Sequence, residues 1–198
     1  MTIEIRELTP ALVEDYLTFF DHDAFADNPR WAACYCMFPH INCDNDTWDA
    51  RSASVNRAEK CELICASEAR GWLAYVDGQP AGWCNAAQRT SLARYRDDDD
   101  LPREDAETSG TIVCFIIAKP YRRLGVASLL LDAAVEGFRR QGLRYAEAFP
   151  MNAPADDAEA HVGPLSMYLA AGFEPLRYLE NGYAIVRKIL ATEPQSKE

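Results

Sequence analysis

The chain has 198 residues, 48% of them hydrophobic and 26% charged, which supplies apolar material for one core and argues against a wholly disordered chain. Twenty Lys and Arg against 31 Asp and Glu leave a formal charge of -11, so a phosphate backbone would be repelled and nucleic-acid binding is disfavoured. The opening MTIEIRELTP lacks the basic patch and apolar run of a secretory signal, no stretch reaches membrane-spanning length, and seven cysteines, an odd number, read as reduced thiols; the expectation is a cytoplasmic protein with no membrane partner.

Residues 2–6 alternate like a short strand, and Thr9-Pro10 supplies an N-cap and a first-turn proline for a helix with Leu12, Val13, Tyr16, Leu17 and Phe20 at helical spacing. Residues 21–46 are irregular. A second helix is predicted over 54–69, with Val55, Ala58, Cys61, Ile64 and Cys65 inward and Gly71 as its stop. Strands over 72–76 and 81–87 are joined through Asp77-Gly78-Gln79-Pro80, whose Asp-Gly pair is a hairpin signal.

Residues 88–109 are too polar for a buried element and long for a loop, and four aspartates stand in a row at 97–100; either a lid or a disordered segment is expected. An apolar run over 111–118 suits a central strand, and 126–141 reads as a helix with Leu129, Leu130, Ala133, Ala134 and Phe138 on one face. Then come a strand over 143–149, a short helix over 164–171 ending at Gly172, and a hairpin of 173–179 and 183–189 across Glu180-Asn181-Gly182. The sum is one α/β (α+β) domain over 1–190 with a mixed, largely antiparallel central sheet flanked by helices, and a disordered tail over 191–198.

Pro120-Tyr121-Arg122-Arg123-Leu124-Gly125-Val126-Ala127-Ser128 lies between the apolar strand and the long helix, where unpaired N–H groups and the helix dipole favour an anion. Gly125 and Ala127 keep the corner small, and Arg122 and Arg123 add positive charge; an ordinary strand-to-helix turn would use the same residues. The segment Arg122-x-x-Gly125-x-Ala127 resembles the Q/R-x-x-G-x-G/A signature of the GNAT superfamily of N-acetyltransferases. Val113-Cys114-Phe115-Ile116-Ile117 is similar to that family's bulged strand, Met167-Tyr168-Leu169-Ala170-Ala171-Gly172-Phe173 resembles its Tyr-x-x-x-Gly-Phe segment, and the element order agrees over about residues 2–190. Lys119 departs from the pattern, standing where many members carry proline.

The resemblance implies acetyl-CoA as co-substrate, held by the strand at Phe115, Ile116 and Ile117 and by the turn at Arg122, Arg123, Leu124, Gly125, Val126, Ala127 and Ser128, with Asn152 and Ser166 as further contacts. It implies Tyr168 as general acid for the departing thiolate, with packing on the final hairpin as the other role open to it. The amine is expected to attack directly, because Cys114 has no histidine near it in sequence that would activate it as a nucleophile.

On the acceptor side the family fold implies contacts from the first helices, the loop after them and the central hairpin. There Asp27, Trp31, Cys36, His40, Trp83 and Asn85 are the expected substrate residues, with Trp83 and Asn85 on one strand face. Cys34, Cys36, His40 and Cys43 are ligand types for zinc, but C-x-C-x3-H-x2-C lacks the two usual knuckles, so no metal is expected. Asp23, Asp27, His40 and Glu147 are candidate general bases, and spacing does not choose among them.

Trp31-x2-Cys34-x-Cys36-x3-His40 together with Gly82-Trp83-Cys84-Asn85 resembles a bacterial subgroup that includes kasugamycin-type aminoglycoside 2'-N-acetyltransferases. That implies a small cationic amine as partner and a role in antibiotic resistance, with the 97–100 aspartates, Glu104, Asp105 and Glu107 supplementing the pocket; a solvated acidic loop has the same composition. A peptide or protein amine acetyltransferase, and an acyl-CoA-binding module without turnover, stay open. A homodimer is compatible with all of these.

Overall fold

The computed structural model describes residues 1–98, 100–154, 156 and 159–190, so the tail expected over 191–198 and Asp99 of the acidic run lie outside the described residues. Among the described residues, β1 (Ile3–Glu7), β2 (Trp72–Val76), β3 (Gln79–Gln88), β4 (Ser109–Ile117), β5 (Tyr145–Ala148), β6 (Glu174–Tyr178) and β7 (Ala184–Ile189) form one sheet in the order β1-β2-β3-β4-β5-β7-β6. Every neighbouring pair is antiparallel except β4 and β5. The mixed, largely antiparallel architecture read from the sequence is the one observed. Asp77 and Gly78 both take positive φ, 48° and 82°, as a two-residue hairpin turn matched to strand twist requires.

One face of the sheet is covered by α4 (Val126–Arg140), which buries Val126, Leu130, Leu131, Ala134, Val135 and Phe138. Leu129, expected inward, is 42% exposed, and Leu131 takes its place. The opposite face is covered by α1 (Val13–His22), the irregular segment after it, a short helix α2 (Asn45–Asp49) and α3 (Ala53–Cys65). The inward face of α3 differs from the expected one: Asn56, Lys60 and Ile64, four residues apart, are buried, while Val55, Ala58 and Cys65 are exposed. Two polar side chains displace the apolar ones because their partners lie beneath the helix. Asn56 Nδ2 donates to the Ala33 carbonyl at 2.8 Å, and Lys60 sits over a group of thiols.

Of residues 88–109, expected as a lid or a disordered loop, the described ones are packed against the sheet. Arg89, Leu92 and Leu101 are buried, Arg187 pairs with Asp105 at 2.7 Å, and Arg177 pairs with Asp100. Glu147, a candidate base, is fully buried between Arg187 at 2.5 Å and Arg89 at 3.4 Å, so its carboxylate serves the core.

The feature of the sheet that builds the site is a bulge. Asn85 pairs with Cys114 and Ala86 with Ile112, which leaves Val113 unpaired in β4. Ahead of the bulge β4 pairs with β5 through Ser109, Gly110, Thr111 and Ile112, and there β5 ends. Residues 113–117 therefore keep β3 on one edge and face, on the other, a 3-10 turn, Glu159–Val162.

Candidate active site

Beyond β4 the chain turns into α4 through a corner with two residues in the left-handed region, Arg123 at φ 62° and Gly125 at φ 82°. Gly125 is the N-cap residue, and no side chain caps the helix. The first-turn N–H groups of Val126, Ala127 and Ser128 thus point out of a 15-residue helix at the positive end of its dipole. A Cβ built on Gly125 would meet no atom within 4 Å, so the space over the corner is open. Arg123 and Leu124 are exposed beside it, and among the described residues Arg123 makes no ion pair. Alternating backbone conformations of this kind gather amides into an anion-binding concavity.

Arg122 points elsewhere. Its Nη1 and Nη2 donate to the two Asp27 carboxylate oxygens at 2.7 and 2.9 Å, and its Nε donates to the Ile117 carbonyl at 2.9 Å. The hydrogen bonds from Arg122 hold the Asp27 carboxyl below the usual aspartate range.

On the bulged strand Phe115 is buried and Ile116 and Ile117 are half-buried. Tyr168, on α5 (Leu165–Ala170), is fully buried, with its ring edge-on to Phe173 at 5.2 Å and to Phe115 at 6.4 Å. Its hydroxyl donates to the Val162 carbonyl at 3.0 Å, and burial pushes it well above the usual tyrosine value, so it stays protonated. A cavity of about 640 Å³ opens on the far side of β4, lined by Val113, Cys114 and Ile116 from the strand. The aromatic side chains of Trp31, Phe38, Trp48, Tyr95, Phe149 and Tyr183, together with Cys34 and Cys36, form its wall. Asp49, Asp98 and Asp100 lie on the lining with Arg30 and Arg51, the latter paired with Glu59.

An open corner over a helix N-terminus, a bulged strand beside it and an aromatic cavity behind the strand are accompanied by a sequence match. Residues 20–161 fit the acetyltransferase (GNAT) family. The chain belongs to the GNAT family of acetyltransferases.

Solved structures agree in fold. A GNAT family acetyltransferase from Streptococcus pneumoniae aligns at 18% identity with a TM-score of 0.53, over 96% of this chain and 100% of that one. The PaiA N-acetyltransferase of Thermoplasma acidophilum in complex with coenzyme A aligns at 13% identity and TM-score 0.57, over 96% and 99%. An aminoglycoside acetyltransferase in complex with coenzyme A aligns at 15% identity and TM-score 0.58, over 95% of each chain. No curated protein matches the sequence. The family uses acetyl-CoA, and the open corner with its uncapped amides suits the pyrophosphate of that molecule.

The other expected residues of this GNAT enzyme are placed unevenly. Asn152 and Ser166 are exposed, Asn152 at the turn of the last hairpin, where its N–H donates to the Gly182 carbonyl, and Ser166 on α5. Of the six residues expected on the acceptor side, Trp31 and Cys36 line the cavity; Asp27, His40, Trp83 and Asn85 do not. Asp27 is engaged by Arg122. Trp83 and Asn85 share a face, but α1 and the 35–37 segment cover it: Trp83 is edge-on to Tyr16 at 5.0 Å, and Asn85 Nδ2 donates to Cys36 Sγ at 3.2 Å.

His40 faces a separate groove with Glu59 and Glu62, and burial together with the nearby Lys60 pushes its imidazole down to about 3. The four zinc-type residues are dispersed: Cys34 and Cys36 lie at the cavity, His40 at the groove, and Cys43 has its carbonyl bonded by Arg94. Of the acidic run, Asp98 and Asp100 reach the cavity lining, whereas Asp105 is tied to Arg187 and Glu107 lies on the separate groove.

His161 was not expected on the lining. Among the described residues it is the one histidine in the cavity, edge-on to Trp31 at 4.9 Å. Sequence offers little to find it by. Its segment has no periodicity and is brought back to the sheet through Met151, which bridges to Pro164 and Tyr183.

Proposed function

We propose that this acetyltransferase moves an acetyl group from acetyl-CoA to a primary amine of a small cationic molecule of the aminoglycoside type. The observation that carries this reading is the aromatic cavity behind the bulged strand. Its volume is that of a small-molecule site, its aromatic faces suit a cation, and Asp49 and Asp98 add negative charge. The resemblance of the Trp31 to His40 segment to kasugamycin-type enzymes supports the same class. All seven cysteines are free, in keeping with a reducing compartment such as the cytoplasm.

In this reading the amides of Leu124, Gly125, Val126, Ala127 and Ser128, with the Arg123 guanidinium, hold the pyrophosphate, and Arg122 fixes the corner through Asp27. The backbone of Phe115, Ile116 and Ile117, on the edge that β5 leaves uncovered, aligns the pantetheine arm. Bound acetyl-CoA supplies a thioester carbonyl open to attack and a thiolate that departs. His161 takes the proton of the incoming ammonium, and Tyr168 Oη, protonated at neutral pH, gives one to the departing sulfur. Asn152 and Ser166 are peripheral contacts.

The test is coenzyme thiol release with a panel of aminoglycosides including kasugamycin, polyamines and peptide amines. Turnover concentrated in the aminoglycosides, and falling about 10²-fold in His161→Ala, is expected. Turnover on peptide amines alone overturns the substrate class. A coenzyme-dependent rise in Tm with no thiol from any amine overturns turnover itself.

A further inference from the structure

Lys60 is fully buried, and its Nζ has no hydrogen-bond partner. An ammonium in an apolar interior is costly without a counter-charge, yet among the described residues no carboxylate pairs with it. Burial pushes its pKa down first of all, and the thiols of Cys36, Cys114 and Cys34 act against that, each favouring the charged ammonium. Cys36 Sγ lies 2.9 Å from Cys114 Sγ and accepts from Asn85 Nδ2 at 3.2 Å. Tyr35 and Cys36 are successive non-glycine residues at positive φ, 44° and 51°. This unfavourable backbone is held by Tyr16, whose hydroxyl donates to the Tyr35 carbonyl at 2.8 Å. Cys36 and Cys114 line the cavity beside β4, each largely buried at 3% and 7% exposure, so a reactant reaches their sulfurs only from within it.

The two sulfurs are unequal. Burial alone would raise the Cys36 thiol, but the hydrogen bond from Cys114, the charge of Lys60 and the Asn85 donor overcome it and bring it down to about 6. Cys114 is pushed well up by the same hydrogen bond and by burial.

We propose that Cys36 and Cys114 form a reactive dithiol in the wall of the acceptor cavity, with Cys36 as attacking and Cys114 as resolving sulfur, and that its reactant is a small-molecule disulfide. The Cys36 thiolate attacks one sulfur of that disulfide. A mixed disulfide forms, the original sulfur–sulfur bond breaks, and the first small thiolate leaves and takes a proton from water. Cys114 then attacks Cys36 Sγ, the protein disulfide closes, and the second small thiol departs with the Cys114 proton. The two cysteines are oxidised by two electrons, and the small disulfide is reduced to two thiols. The product ties the acceptor loop to β4 beside the bulge, whichever amine the enzyme acetylates.

The experiment treats the reduced full chain with oxidised glutathione at neutral pH, quenches by alkylation and maps the cysteines by peptide mass. A Cys36–Cys114 linkage that forms ahead of any adduct on the exposed Cys65 is expected. Cys114→Ser should stop at a glutathione adduct on Cys36, and Cys36→Ser should leave Cys114 unmodified. Lys60→Met should slow the reaction about tenfold at neutral pH, less so in alkali, as a higher thiol pKa requires. Because that variant removes a core residue, the two serine variants carry the decision if it does not fold. Adducts confined to Cys65 or Cys61, with Cys36 and Cys114 alkylated as free thiols, overturn the proposal. So does modification of Cys114 in Cys36→Ser at the rate seen for Cys36.

Discussion

Arg122 clasps the Asp27 carboxylate through two hydrogen bonds of 2.7 and 2.9 Å, joining the corner ahead of α4 to a loop 95 residues earlier in the chain. Both side chains are 23% exposed, so the pair contributes about 1 kcal/mol or less. The hydrogen bonds from Arg122 lower the folded-state pKa of Asp27. The contribution is therefore complete above the unfolded aspartate pKa and disappears as pH falls through the lower folded value. Asp27→Asn should be less stable than the wild type at neutral pH and equal to it in strong acid, by thermal melts across pH.

Gly125→Ala puts a side chain on a residue at φ 82°. The space is open, so the intrinsic cost is backbone strain of about 1–2 kcal/mol. If the pyrophosphate lies over this corner, coenzyme affinity falls as well. The stabilisation given by a fixed coenzyme concentration should then be smaller in the variant. An unchanged increment removes the corner from coenzyme binding.

Tyr168→Phe loses the bond to the Val162 carbonyl, about 1 kcal/mol of stability. As general acid Tyr168 should also account for about 10²-fold in kcat. Steady-state kinetics would show the fall in kcat with little change in coenzyme KM. Equal turnover leaves the tyrosine as packing against Phe173.

Glu147→Gln leaves Arg89 and Arg187 without their shared buried carboxylate. A loss of about 3–5 kcal/mol is expected in denaturant titrations, with kcat of the folded fraction unchanged. A collapse of kcat at near-normal stability would return Glu147 to the role of base.

Much of this was legible in the sequence. The apolar run of β4 and the stripe along α4 each bury one continuous surface, and Asp77-Gly78 permits little but a tight hairpin turn. Periodicity failed on α3 because it weighs apolarity. The buried positions there, Asn56 and Lys60, face a carbonyl at residue 33 and thiols at residues 34, 36 and 114, which local spacing cannot register. Alternation set Trp83 and Asn85 on one face correctly, but it carries no information on what covers that face. His161 is placed by bridges among Met151, Pro164 and Tyr183, and these too are non-local.

Val113, unpaired in the ladder, reverses the phase of β4. Ahead of it Gly110 and Ile112 look toward α4; beyond it Phe115 and Ile117 do, while Cys114 and Ile116 turn to the side of α1. Tolerance to gaps should therefore be uneven along the chain. A residue lost from an exposed turn between 88 and 98 shortens a connection, and loss of Val113 itself removes the bulge without changing the faces of the rest of β4, whereas loss of Cys114 exchanges the two faces beyond it. Phe115 would leave the α4 side, and the cavity would lose the sulfur and the isoleucine that form its wall. Related chains that differ in length within this strand are thus expected to differ at the bulge by the one residue that Val113 adds, or elsewhere by even numbers of residues.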